Sequence, residues 1–191
     1  SLPAGSLSQW HPVELAVDSS QALHIYVRQD AGRYATNGSG TWSLETVALG
    51  GFAVQASQPY VCTATAVHHK LGANWQSVSL PQAICDGSEC TAAGTGLCAV
   101  ATASSGELRV LALMHPVGAP QWVSSLFAFA HATGGWSADS LDATVENALT
   151  KHDFRAVRDA QGIWHALLAS PLGEFLAYKR SSDGAFQWIN D

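Results

Sequence analysis

Four stretches of this chain begin alike and end alike, and that repetition limits the fold more than any single residue does. Each opens with an alternating apolar strand, a short polar turn and a second strand. The first reads Val13-Glu-Leu-Ala-Val-Asp18, then Ser-Ser-Gln-Ala, then Leu23-His-Ile-Tyr-Val27. The others run Phe52 to Ser57 into Tyr60 to Ala64, Leu97 to Ala103 into Leu108 to Ala112, and Phe154 to Asp159 into Trp164 to Leu168. The first and fourth agree best, with Asp18 over Asp159, Gln21 over Gly162 and His24 over His165. Arg109 takes the His place in the third copy, and the second copy is shorter in its turn. Each unit then closes on a Gly- or Asn-bearing turn and a Trp: Trp42, Trp75, Trp136 and Trp188. Period-two alternation marks strands, and Gly and Asn accept the positive φ of tight hairpins. The chain reads as four copies of one antiparallel four-strand unit.

Composition agrees and excludes several function classes. Hydrophobic residues make up 47% of the 191 and charged residues 13%, so the chain has the material for a core and is not generally disordered. The net charge is −6, and the nine Lys and Arg are scattered, which argues against tracking a phosphate backbone. No apolar stretch approaches the roughly 18 residues of a membrane helix. Ser1 leads into a polar Ser/Gly/Pro segment without the pattern of a secretory leader.

The four cysteines, Cys62, Cys85, Cys90 and Cys98, lie in one stretch. An even, clustered set suits disulfides in an oxidising compartment. The favoured pairing is Cys85–Cys90, closing the loop over Asp86 to Glu89, with Cys62–Cys98 joining neighbouring strands. A zinc site would want tighter, matched pairs, and only one spacing of four is present. No metal or other cofactor is expected. Ca²⁺ at Asp86 and Glu89 is the one candidate, and two carboxylates are few for a cation that takes 6–8 oxygens.

Among candidate functional residues, His24 and His165 are read two ways. They are general bases or ligands on equivalent strands, or each bonds the Asp before it and locks a hairpin. Duplication in register favours the lock, because packing and scaffold residues are what repeats keep. Arg109 joins them as a ligand-binding candidate. The four Trp are read as plugs between sheets, the rival being stacking platforms for sugars. His68 and His69, adjacent in a strand, point to opposite faces and cannot share one ion. His115 is expected in a turn before Pro116, and His131 at a strand end. Of the acidic residues, Asp18, Glu45, Asp139, Asp142, Asp153, Asp159 and Asp183 are expected mostly at turns. No nucleophile elbow, zinc-protease pair or phosphate loop is present.

The expected architecture is all-β: a single β-propeller domain over 1–191 of about four blades, near 13–48, 52–80, 97–142 and 153–190. A closed four-blade ring is preferred, and a partial propeller completed by another chain is the alternative. Residues 81–96 read as an insertion loop, and Ala143 to Thr150 as a helical turn or two. Residues 13–47, with Asp18, the His24-Ile pair, Tyr34-Ala and Trp42, resemble a repeat of bacterial extracellular β-propellers; Gln21 stands where that repeat usually has Gly. The turn from Ser181 to Trp188 is similar to the Asp-box of sialidase-type propellers, with its Gly one residue early. These resemblances imply a fold and say little of a ligand. The expected function is a non-enzymatic extracellular binding module for a glycan or protein, secreted, periplasmic or at the cell surface. The alternatives are a polysaccharide hydrolase or lyase with acidic or His residues near the axis, and a structural part of a larger secreted assembly. Self-association or a partner chain goes with the open or partial-propeller alternative; nucleic acid and membrane insertion are not expected.

Overall fold

The computed structural model describes residues 13–28, 31–63, 65–81, 84–85, 88–92, 98–116, 123–132, 135–146, 153–169, 176–182 and 187–188. Among them are strands and no helix. The first sheet holds β1 (Val13–Val17), β2 (Leu23–Arg28), β3 (Gly32–Thr36) and β4 (Ser43–Val47) in chain order. The second repeats this with β5 (Gly51–Gln55), β6 (Gln58–Cys62), β7 (Ala66–Leu71) and β8 (Asn74–Ser79). In the third sheet, two short strands, β9 (Ile84–Cys85) and β10 (Ser88–Ala92), precede β11 (Cys98–Thr102), β12 (Leu108–Pro116), β13 (Val123–Ala132) and β14 (Gly135–Glu146). The fourth holds β15 (Asp153–Arg158), β16 (Trp164–Ala169), β17 (Leu176–Arg180) and β18 (Gln187–Trp188). All the pairings are antiparallel.

The third sheet departs from the expected plan. β12 is nine residues long and β11 only five, so the far end of β12 has a bare edge. β10 pairs there, with Ala92 opposite Met114 and Cys90 opposite Pro116, and β9 pairs with β10. The stretch expected as an insertion loop therefore extends the sheet. His115, expected in a turn, lies in this strand opposite Thr91. Residues 143–146, expected to be helical, continue β14 because Val123 to Ser125 offer a free edge to Thr144, Val145 and Glu146. Residues 147–150 lie outside the described residues.

Each sheet packs on the next through alternate side chains. Tyr26, Tyr34 and Val47 of the first sheet meet Val61 of the second, with Phe52 and Trp75 against them. Tyr60, Cys62 and Val67 then meet the third sheet at Cys98, Val110 and Phe129. The other face of the third sheet carries Ala101, Leu111 and Leu113 onto Phe154, Trp164 and Leu168 of the fourth. The opening strands lie side by side along this row: β1 by β5, β5 by β11, β11 by β15. The outermost faces stay exposed, Leu15 at 66% and Val157 at 67%, so the end sheets do not close on each other through these faces.

Two features tie neighbouring sheets. The buried Tyr26 hydroxyl donates to the Ala48 carbonyl at 2.9 Å and accepts from the Gly50 amide at 2.9 Å, fixing the crossing from the first sheet to the second. Cys62 and Cys98 form the expected disulfide between the second and third sheets, with Cα atoms 6.1 Å apart. Gly51 sits beneath it, where an added Cβ would strike the Cys98 carbonyl and come within 3.2 Å of the Cys62 sulfur. The side chains of Cys85 and Cys90 lie outside the described residues.

Replacing Cys62 and Cys98 together by Ala is expected to cost about 2–4 kcal/mol, measured by denaturant unfolding. Tyr26→Phe is expected to cost about 1–3 kcal/mol, because it strands a buried carbonyl and amide. A loss below a few tenths would mean that this crossing is held by something else.

Candidate functional site

The densest polar arrangement grows out of the first turn of a unit. Asp18 ends β1, and the chain must reverse at once into β2. Its main chain closes the turn, with the Asp18 amide donating to the Ala22 carbonyl at 3.0 Å and the Gln21 amide to the Asp18 carbonyl at 3.0 Å. Its carboxylate accepts from the Ser20 amide (2.8 Å), the Ser20 hydroxyl (2.7 Å) and the Ala22 amide (2.9 Å). The second carboxylate oxygen faces His24 Nε2 at 3.3 Å, and His24 Nδ1 faces the Tyr34 hydroxyl at 2.7 Å. A carboxylate can only accept, so Nε2 donates to Asp18, while Nδ1 is taken up by the bond with the Tyr34 hydroxyl. His24 is 4% exposed.

The fourth sheet repeats the unit. The Gly162 amide donates to the Asp159 carbonyl at 3.0 Å, and the Ile163 amide to the Asp159 carboxylate at 2.8 Å. His165 stands 2.9 Å from that carboxylate and 2.6 Å from the Tyr178 hydroxyl. In the third sheet Ala103 replaces the Asp, and the carboxylate is supplied instead by Glu107, bonded to Arg109 at 2.8 Å. Arg109 also donates to the carbonyls of Leu108 and His131, at 3.0 and 3.4 Å. Gly106, at φ 83°, takes the place of Gly162, at φ 85°, and of Gln21, at φ 67°. A residue with a Cβ is strained in this conformation, which Gly106 and Gly162 avoid and Gln21 does not.

The electrostatics follow the bonds. Asp18 is held well below the ordinary carboxylate range, first by the Ser20 hydroxyl and then by the Ala22 amide and His24, against the opposing effect of burial. Asp159 is lowered chiefly by His165, and Glu107 chiefly by Arg109. Burial pushes the Tyr34 hydroxyl up to about 12, so it stays a proton donor.

Chemically, an Asp–His–Tyr line could act as a base relay, but both nitrogens of His24 and of His165 are already bonded to protein groups. Neither ring has a lone pair left for a substrate, so the hairpin-lock reading fits both. The sequence gives no direct sign of this part for Tyr34 and Tyr178, which lie on the third strand of their sheets. Trp75 is a plug between sheets: it sits edge-on to Tyr34 at 5.4 Å and donates to Glu45 at 2.9 Å. Glu45 also accepts from Lys70 at 2.6 Å. Trp136 packs into the joint of the second and third sheets, 4.8 Å from the His131 ring. Trp42 is half-buried just before β4, and the Trp188 side chain lies outside the described residues.

His68 and His69 take opposite faces, opposite Val61 and Tyr60 respectively. Burial, with the His69 charge second, lowers His68. Glu45, Asp139, Asp142 and Asp153 lie in strands rather than turns, while Asp18 and Asp159 do sit at turns. Asp183, Asp86 and the side chain of Glu89 lie outside the described residues. Among the described residues no group of three or more His, Cys, Asp or Glu could hold a metal ion, and no helix is long and apolar enough to cross a membrane.

No family model matches the chain. No curated protein matches it either. Among solved structures it is similar to a chain from an S. cerevisiae assembly containing dbp5, nup159 and gle1, at 13% identity and a TM-score of 0.46. The match covers 91% of this chain and 50% of that one, so this chain spans about half its length. At that score the likeness carries no argument.

Two outcomes are expected at the locks. A lowered carboxylate stabilises the fold above its ordinary value and loses that contribution as pH falls beneath it. The melting temperature should therefore drop below about pH 4. Asp18→Asn should be less stable at pH 7 and show a shallower drop in that acid range, read by circular dichroism melts. Gln21→Gly should raise stability by up to about 1 kcal/mol, the relief of left-handed strain outweighing the added chain entropy.

Proposed function

We propose that the chain is an extracellular, non-enzymatic binding module on a β-propeller scaffold, with a glycan or a protein as its ligand. Four antiparallel sheets in a row, opening strands side by side, are the arrangement that blades around an axis require. The observation that carries the functional half is the spent state of His24 and His165. The two best-placed acid–base groups of the chain clip hairpins, and the same clip occurs twice. Scaffolds of repeated sheets place recognition on their turns and connecting segments. The Cys62–Cys98 disulfide fits an oxidising compartment, hence a secreted, periplasmic or cell-surface location.

A role as a structural part of a larger assembly is favoured by one observation, the exposed apolar side chains on the outer face of the first sheet. The polysaccharide hydrolase or lyase reading needs two free, converging carboxylates. Asp18, Asp159 and Glu45 are each engaged by donors, which weakens it.

A glycan array and an affinity capture from extracellular extracts test the proposal. Saturable binding to one glycan class or one protein, unaffected by His165→Ala, is expected. Silence in both, together with cleavage of a polysaccharide, would overturn it.

A further inference from the structure

The three sheet-to-sheet joints all run in one direction. In the first sheet, Tyr34, which bonds His24, turns toward the second sheet, and Trp75 of the second turns back to meet it edge-on at 5.4 Å. In the third sheet Trp136 packs toward the second. Arg109, in the His place, lies opposite Ala101 in the register, on the face that meets the fourth. The fourth sheet receives the third on Phe154, Trp164 and Leu168. At the first and third joints a lock-bearing face covers the Trp-bearing or apolar face of the next sheet, and at the second the Trp136-bearing face of the third sheet meets the second.

Two faces are left over, and they are one of each kind. The first sheet's outer face carries Val13, Leu15, Val17 and Leu44, exposed at 49%, 66%, 61% and 49%. Trp42 stands two residues before Leu44, on the same face by strand alternation. The fourth sheet's outer face carries Val157, exposed at 67%, opposite His165, with Tyr178 bonded to that ring. The lock itself records the difference. The side chains of His24 and Asp18 are 5% and 5% exposed where the second sheet covers them, and those of His165 and Asp159 are 29% and 29%, with no sheet over them among the described residues.

We propose that these faces dock head to tail between copies: the fourth sheet of one chain covers the first sheet of a second. Trp42 then meets Tyr178 as Trp75 meets Tyr34. Within one chain the exposures show that the two faces do not cover each other. What fits the first sheet's face is another lock-bearing sheet, and the chain leaves one uncovered. The same contact made reciprocally closes two copies, four sheets each, into one ring. About eight sheets is at the upper end of what such rings commonly hold, and closure avoids an open fibre. The proposal goes beyond the binding-module reading and does not depend on the ligand.

The test is mass in solution, by light scattering across a concentration series, for the chain, Leu15→Glu, Val157→Glu and an equimolar mixture of the two variants. Both positions are exposed, so each variant should still fold, with the parent's far-ultraviolet circular dichroism spectrum. The parent is expected as a dimer, and each variant alone should have at least tenfold weaker association. The mixture keeps one sound contact, the fourth sheet of Leu15→Glu on the first sheet of Val157→Glu, so it should associate more tightly than either variant alone and less tightly than the parent. A parent that is monomeric at every concentration would overturn the proposal. So would a dimer that Val157→Glu leaves intact, or a mixture that associates no more tightly than either variant alone.

Discussion

A strand buried on both of its faces cannot exist in a lone sheet, and this chain has several. In β12, Val110 and Leu111 are neighbours, point to opposite sides, and are both fully buried. Each requires its own cover: Val110 lies in the cluster shared with the second sheet, Leu111 in that shared with the fourth. Burying such a side chain contributes about 1.5–3 kcal/mol, so the middle sheets are stable only as members of a row. The disulfide between Cys62 and Cys98 and the Tyr26 bridge sit at such joints, where relative movement of sheets would open the core.

Within each sheet the opening hairpin has to be set before a joint can form. The Asp–His–Tyr lock does this by tying three strands: Asp18 at the end of β1, His24 in β2 and Tyr34 in β3. It also places the turn itself, since Ser19 bonds Ser57 in the corresponding turn of the second sheet at 2.9 Å. A buried carboxylate and a buried imidazole would each be costly alone. Together, with the Ser20 and Ala22 donors, they are satisfied, and Tyr34 is free to present its ring to Phe52 and Trp75.

What the sequence disclosed follows the range of the interactions involved. The Asp18–Gln21–His24 spacing is local, so its match to Asp159–Gly162–His165 could be read directly, and Arg109 fell into its place by the same count. The Cys62–Cys98 pair was legible because neighbouring strands of adjacent units come together, here β6 and β11. Tyr34 and Tyr178 were harder, since one lies ten residues beyond its His and the other thirteen. The β9–β10 hairpin and the continuation of β14 through Glu146 were not legible. Both depend on bare edges left by unequal strand lengths, which only pairing reveals. The fate of Glu45 was hidden likewise, because its partners Lys70 and Trp75 arrive from the next sheet.

The direction of the row was also beyond local pattern, because alternation assigns side chains to two faces without saying which sheet each face will meet. Once one joint is known, the rest follow. A repeat places its lock and its Trp on opposite sides, so neighbours built alike must stack in the same sense. A row with a sense cannot satisfy its own ends by symmetry: two first-sheet faces brought together would put Leu15 against Leu15 but leave both His165 faces bare. Only a contact between unlike ends removes the apolar strip of β1 and the half-exposed lock of β16 at once. The uneven burial of two otherwise matching locks is therefore a property of position in the row: a neighbouring sheet covers His24, and none among the described residues covers His165.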